Sequence, residues 1–184
     1  NMKNKNIKHI AIIMDGNRRY AKKNHMPTIW GHEKGAQKLR DVIGWCLDLG
    51  IKELTLYTFS MQNFNREEKE VQGLFDLFYK HFDKLKEDKG IFKNKIRVKV
   101  AGRKHLFPER LQKAIQEIED LTKEHDNLIM NFAMAYGGRE EIVDAAKRIA
   151  EEVKFNDISV EEVDENLFAQ KLYLNSDPDI VIRT

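Results

Sequence analysis

The sequence predicts an α/β fold, a single domain with a mainly parallel β-sheet flanked by helices. Two observations carry this. Short apolar runs of strand length alternate with amphipathic segments of helix length along the whole chain. The 184 residues show no internal repeat, low-complexity segment or linker, and they suffice for one substantial core, so one domain spans residues 1–184.

In chain order, Ile7–Met14 reads as the first strand, its apolar run too short for a globular helix. It stops at the turn triplet Asp15-Gly16-Asn17, and a basic, helix-compatible stretch follows from Arg18 to Lys23. The spacing then predicts a helix over His32–Asp48, a strand over Glu53–Phe59 and a helix over Arg66–Asp88. In that last helix Val71, Leu74, Phe75, Phe78, Phe82 and Leu85 form one apolar stripe. Further strands are expected at Ile96–Ala101, Leu128–Ala135 and Ile180–Ile182. Helices are expected at Pro108–His125 and Arg139–Val153, with a short one near Val163–Leu172. Gly50 and Gly90 read as helix stops, Pro108 as a helix start, and Tyr136-Gly137-Gly138-Arg139 as a tight strand-to-helix turn in which Arg139 is structural.

Lys and Arg number 32 against 30 Asp and Glu, so no bulk basic field for nucleic acid exists and charge must be read locally. The local excess falls in Arg18–Lys23. There an acid at a strand end meets two arginines and two lysines around a helix N-terminus, which suits a divalent metal and a phosphorylated substrate. Taken alone, the segment is equally an ordinary turn before a solvated basic helix. The single Cys46 falls in an apolar helical pattern, forms no intrachain disulfide and suits a reducing cytoplasm. No stretch has transmembrane length and no signal peptide is evident, so any membrane contact should be peripheral. Asn1 precedes Met2 and reads as an addition ahead of the natural start.

Five separated motifs in order carry a family resemblance: Asp15-Gly16-Asn17-Arg18-Arg19, Trp30-Gly31-His32, Phe59-Ser60 with Asn63-Phe64-Asn65-Arg66, Tyr136-Gly137-Gly138-Arg139, and Asp177-Pro178-Asp179 through Arg183-Thr184. The chain resembles the cis-prenyltransferases, the undecaprenyl-diphosphate and dehydrodolichyl-diphosphate synthase family. The resemblance implies that isopentenyl diphosphate condenses with an allylic diphosphate, farnesyl or geranylgeranyl. Pyrophosphate is released and a Z-polyprenyl diphosphate forms. It implies that Asp15 binds Mg²⁺, and that Gly16, Asn17, Arg18, Arg19 and His32 contact the allylic diphosphate. It further implies that Ser60 and Asn63 help remove the isopentenyl proton, that Phe64 and Arg66 belong to a closing loop, and that Arg183 binds isopentenyl diphosphate.

A hydrophobic tunnel between helices and sheet would enclose the growing chain, and a homodimer is expected. Thr28 stands where many bacterial relatives place an Arg, a gap that Arg18 is expected to offset. Relatives continue past the Arg-Thr pair with a further Arg, a Ser and a metal-binding Glu. A polypeptide ending at Thr184 is therefore expected to bind isopentenyl diphosphate poorly. Two rival readings are a non-catalytic partner subunit and a phosphatase with Asp15 as nucleophile. Such a phosphatase of the haloacid-dehalogenase type would need an Asp where Asn17 stands.

Overall fold

The computed structural model describes residues 7–184, so Asn1 lies outside the described residues. Five strands form one sheet: β1 (His9–Ile13), β2 (Glu53–Ser60), β3 (Ile96–Ala101), β4 (Leu128–Tyr136) and β5 (Ile180–Arg183). Seven helices connect them: α1 (Asn17–Lys23), α2 (Thr28–Asp48), α3 (Glu68–Leu85), α4 (Lys89–Lys93), α5 (Glu109–Thr122), α6 (Gly138–Lys154) and α7 (Glu165–Lys171). The strand order is β3-β4-β2-β1-β5, and every pairing is parallel. β1 thus lies between the second strand and the last, so the loop after β1 opens where connections leave in opposite directions.

Side-chain alternation splits the sheet into unlike faces. Leu54, Leu56, Val98 and Met130 are inaccessible to solvent and pack with α2, α3 and α5 residues such as Cys46, Leu74, Ile115 and Ile118. The alternate positions of β2 and β4 carry Glu53, Thr55 and Asn131. Glu53 accepts hydrogen bonds from Asn131 Nδ2 at 2.6 Å and Ser176 Oγ at 2.5 Å, and His9 Nε2 meets Thr55 Oγ1 at 2.8 Å. This polar layer ties the segment before β5 to the middle of the sheet.

The main differences from the sequence reading fall at α2, α3 and α4. α2 begins at Thr28, four residues before His32, because Pro27 with φ −58° and ψ 147° caps a helix that can start at once. α3 is shorter at both ends than the predicted Arg66–Asp88. Gly90 does not stop that helix: the Asp88 carboxylate accepts from the Gly90 N–H at 2.8 Å and starts the separate α4. A helix of five residues is too brief to show a periodic pattern. Gly50, by contrast, does follow the end of α2, at φ +69°.

β5 is an edge strand held at its start by Asp179, whose carboxylate accepts from the Lys8 and His9 N–H groups at 2.9 and 3.1 Å. Replacing Asp179 with Ala should therefore cost about 1–3 kcal/mol locally. Hydrogen exchange should show β5 amides losing protection while β3 and β4 keep theirs; unchanged β5 protection would mean that the ladder alone sets its register.

Candidate active site

Asp15 follows β1 directly. Gly16, in the left-handed region at φ +95°, then caps α1. That turn aims two backbones and several cations into a cavity of about 850 Å³. It is lined by Asp15, Gly16, Asn17, Arg18, Arg19, His32 and Arg66 together with Met14, Lys22, His25, Met26, Pro27 and Thr28. Seven of the sequence-derived site residues therefore meet around one space.

α1 reaches this position by lying directly on α2. A Cβ on Gly31 would stand 2.1 Å from the Asn17 carbonyl oxygen and 3.0 Å from Ala21 Cβ, so no other residue fits at that point. The glycine of Trp30-Gly31-His32 is thus a docking surface for the loop that carries Asp15.

Asp15 is charge-paired on both oxygens. Its Oδ1 accepts from the Gly16 N–H at 2.6 Å and lies 3.5 Å from Arg19 Nη2; its Oδ2 accepts from Arg183 Nη2 at 2.8 Å and Nε at 3.2 Å. The Arg183 guanidinium above all, then the Gly16 N–H, holds the carboxyl below its ordinary range. Thr184 closes the loop from behind, donating to the Asp15 carbonyl at 2.9 Å.

Across the cavity Glu70 gathers two arginines: Arg66 Nη1 donates to Oε1 at 3.0 Å and Arg18 Nε lies 3.6 Å from it. His32 sits beside this group with Nε2 buried and unpartnered. Burial first, then the positive charge of Arg66, lowers its pKa, so the imidazole is neutral near pH 7.

Ser60 and Asn63 lie elsewhere. They form a reciprocal capping box at the single turn Met61–Asn65, with Asn63 Oδ1 accepting from the Ser60 N–H at 3.1 Å. Phe64 packs into an aromatic cluster with Phe59, Phe75 and Phe107, its ring 5.0 Å from that of Phe59. Neither Phe64, Ser60, Asn63 nor Arg183 lines the cavity around Asp15.

A second cavity of about 640 Å³ runs between α2, α3 and the sheet, and it shares Met14 and His32 with the first. Its wall separates the apolar stripe of α3 into two parts. Phe78, Phe82 and Leu85 line the space, Phe82 also belonging to the packed core, whereas Val71, Leu74 and Phe75 belong to the core alone. Two ion pairs cross its α2 side, Glu33 to Lys80 at 3.4 Å and Arg40 to Asp88 at 3.7 Å.

The geometry is therefore a cavity rich in cations beside an apolar one, an arrangement that suits an amphiphile with a charged head and a hydrocarbon tail. Residues 13–184 match the prenyltransferase family described as "Putative undecaprenyl diphosphate synthase". The chain belongs to the cis-prenyltransferase family. It is 48% identical over 179 residues to a tritrans,polycis-undecaprenyl-diphosphate synthase (geranylgeranyl-diphosphate specific) of Pyrococcus horikoshii, covering 96% of this chain and 68% of the relative. A synthase of the same description from Methanopyrus kandleri is 44% identical over 96% of this chain and 66% of its own. Among solved structures, lavandulyl diphosphate synthase from Lavandula x intermedia in complex with dimethylallyl diphosphate superposes with a TM-score of 0.88. The identity is 34%, covering 97% of this chain and 77% of that one. The match favours the synthase reading over the partner-subunit and phosphatase readings.

Sequence reading of this cis-prenyltransferase missed Glu70, His25 and Met26, and counted Lys22 only among the bases of Arg18–Lys23. The Arg66-to-Glu70 spacing, one helical turn, was the available signal for Glu70. The donor set also fits Mg²⁺ in one way only. Among the described residues no cluster of three His, Cys, Asp or Glu side chains converges, and Asp15 is the one carboxylate lining the cavity. A hard cation that keeps its waters and takes its other ligands from phosphate oxygens suits such a site.

Gly31→Ala should abolish allylic diphosphate binding, measured by calorimetry, and cost about 1–3 kcal/mol of stability from overpacking. In the free protein the His32 ring should titrate below about 6.5, followed by its Cε1–H proton resonance, and diphosphate should raise that value because added negative charge favours imidazolium. Titration above 6.5 without ligand would contradict the neutral ring.

Proposed function

We propose that this cis-prenyltransferase condenses isopentenyl diphosphate with geranylgeranyl or farnesyl diphosphate to give a Z-polyprenyl diphosphate and pyrophosphate. The observation that carries the proposal is the pair of adjacent cavities that share Met14 and His32 in their walls, one lined by charged groups and the other mostly apolar. The geranylgeranyl primer is favoured by the named specificity of the Pyrococcus and Methanopyrus relatives.

The residues divide the work by charge. Gly16 and Asn17 offer backbone at the α1 N-terminus while Arg18, Arg19 and Arg66 surround the allylic diphosphate, so negative charge on the leaving group meets fixed donors. Mg²⁺ held by Asp15 and phosphate oxygens would neutralise the departing pyrophosphate. Asp15 first has to exchange Arg183, which then becomes free to meet isopentenyl diphosphate. Neutral His32 donates to or accepts from phosphate without adding charge. The isopentenyl double bond attacks the allylic carbon as its bond to pyrophosphate breaks, and a proton leaves towards the Ser60 and Asn63 side. Ser60 and Asn63 satisfy each other in a reciprocal capping box, so their use in this step would open that box.

The same reading takes the enzyme to be a cytoplasmic homodimer with only peripheral membrane contact. Cys46 is buried and unpaired, as in a reducing compartment. Ile180, Val181 and Ile182 on the edge strand remain exposed and offer apolar surface to a second copy. Among the described residues no helix is long and apolar enough to cross a membrane.

Asp15→Ala in the complete polypeptide should retain the circular dichroism spectrum and lower kcat by about 10²-fold or more. Labelled isopentenyl diphosphate with each primer, followed by sizing of the polyprenols, is the measurement. Full activity in the variant, or no pyrophosphate from the wild type with Mg²⁺ and both diphosphates, would sink the proposal.

A further inference from the structure

Residues 17–32 contain two arginines, two lysines and no acid, and the structure folds them into one corner formed by α1 and the first turns of α2. Asn17 and Ala21 turn inwards against Gly35 and Gly31, which leaves the remaining faces of α1 outwards. Among the described residues, Lys22, Lys23 and Lys34 pair with no carboxylate. The neighbouring Glu33 is engaged by Lys80 and so does not neutralise them.

Apolar surface is interleaved with these charges. Tyr20 is 50% exposed, Met26 41% and Ile29 38%, although all three sit on a well-packed corner. Tyr20 stacks on Trp30 with ring centres 5.5 Å apart and planes within 10°, and Lys34 Nζ lies 5.5 Å from the Trp30 ring. The result is a rigid aromatic pair with ammonium groups beside it. Lys22 and Met26 also line the cavity around Asp15, so the patch runs up to the mouth of the site.

We propose that the α1–α2 corner, centred on Tyr20, Lys23, Met26, Trp30 and Lys34, docks on the surface of an anionic phospholipid bilayer. The chemistry is complementary in both respects. Lysines meet lipid phosphates within a Debye length, and Tyr and Trp rings rest at headgroup depth with one side apolar and the other wet. The long lysine stems let the ammonium groups stay in the headgroup layer while the rings descend. A nucleic-acid partner would use the charges but has no comparable need for Met26 and Ile29 to stand in solvent. This docking rests on the reading of the cavity only for its purpose, which is to present the cavity mouth to an amphiphilic substrate held in the lipid. The contact itself needs no substrate.

The test is co-sedimentation of the intact protein, without diphosphates, with vesicles of phosphatidylcholine alone and of phosphatidylcholine mixed with phosphatidylglycerol. Partition should require phosphatidylglycerol and weaken with salt. Lys23→Glu and Lys34→Glu should each lower it by about fivefold or more. Tyr20→Ser should lower it as well, whereas Lys113→Glu on α5 should leave it unchanged. Equal binding to neutral vesicles, no binding to either, or a loss in Lys113→Glu matching that in Lys23→Glu would overturn the proposal. Because the assay uses no substrate, a failed condensation assay leaves its outcome standing, and the converse also holds.

Discussion

Everything around Asp15 depends on a place where no side chain fits. α1 can lie against α2 only because Gly31 puts a bare backbone under the Asn17 carbonyl and Ala21. This contact fixes the direction of α1, and with it the amides, arginines and carboxylate of the preceding turn. Propensity alone would not hold a helix of seven residues there, since so short a helix is unstable in isolation. Tertiary contact does the holding, and the anion site inherits its rigidity from that contact.

The second constraint is electrostatic. Arg18, Arg19 and Arg66 line the cavity, Arg183 reaches Asp15 from β5, and two carboxylates, Asp15 and Glu70, pair with all four. Each carboxylate is shared between two guanidinium groups. Of the four, only Arg66 is mostly buried, so its pair with Glu70 offsets a desolvation cost, whereas the pairs of the exposed Arg18, Arg19 and Arg183 contribute little to stability. A diphosphate bound there, as proposed, would replace a carboxylate at an arginine rather than meet a bare charge.

Much of this was legible in the chain. The strand-to-turn break at Asp15-Gly16-Asn17 and the bases after it located the anion site, because a parallel sheet leaves its ligand sites at strand ends. β2, β3 and β4 were read to within a residue, since buried parallel strands announce themselves as apolar runs, and so was the exposed β5, whereas β1 starts two residues later than the predicted Ile7. Other features were silent for physical reasons. α4 depends on a single Asp88 cap and has no periodicity to detect. Glu70 has an ordinary helical spacing to Arg66, but its approach to Arg18 spans the fold and leaves no local trace. The apolar stripe of α3 could not be divided into tunnel and core, because Phe78 and Phe75 differ only by a turn and obey the same hydrophobic rule. Gly31 was seen as a motif letter; only its distance to Asn17 shows what it does.

His32 is where the polar and apolar halves touch, and its environment explains why a histidine can serve there. A permanently charged residue at the border would draw water into the apolar cavity or require a buried counter-ion. A purely apolar one would leave the diphosphate without a donor on that side. An imidazole held neutral by burial and by Arg66 avoids both costs: it presents a hydrogen-bonding nitrogen to the head group and a largely apolar ring to the tail.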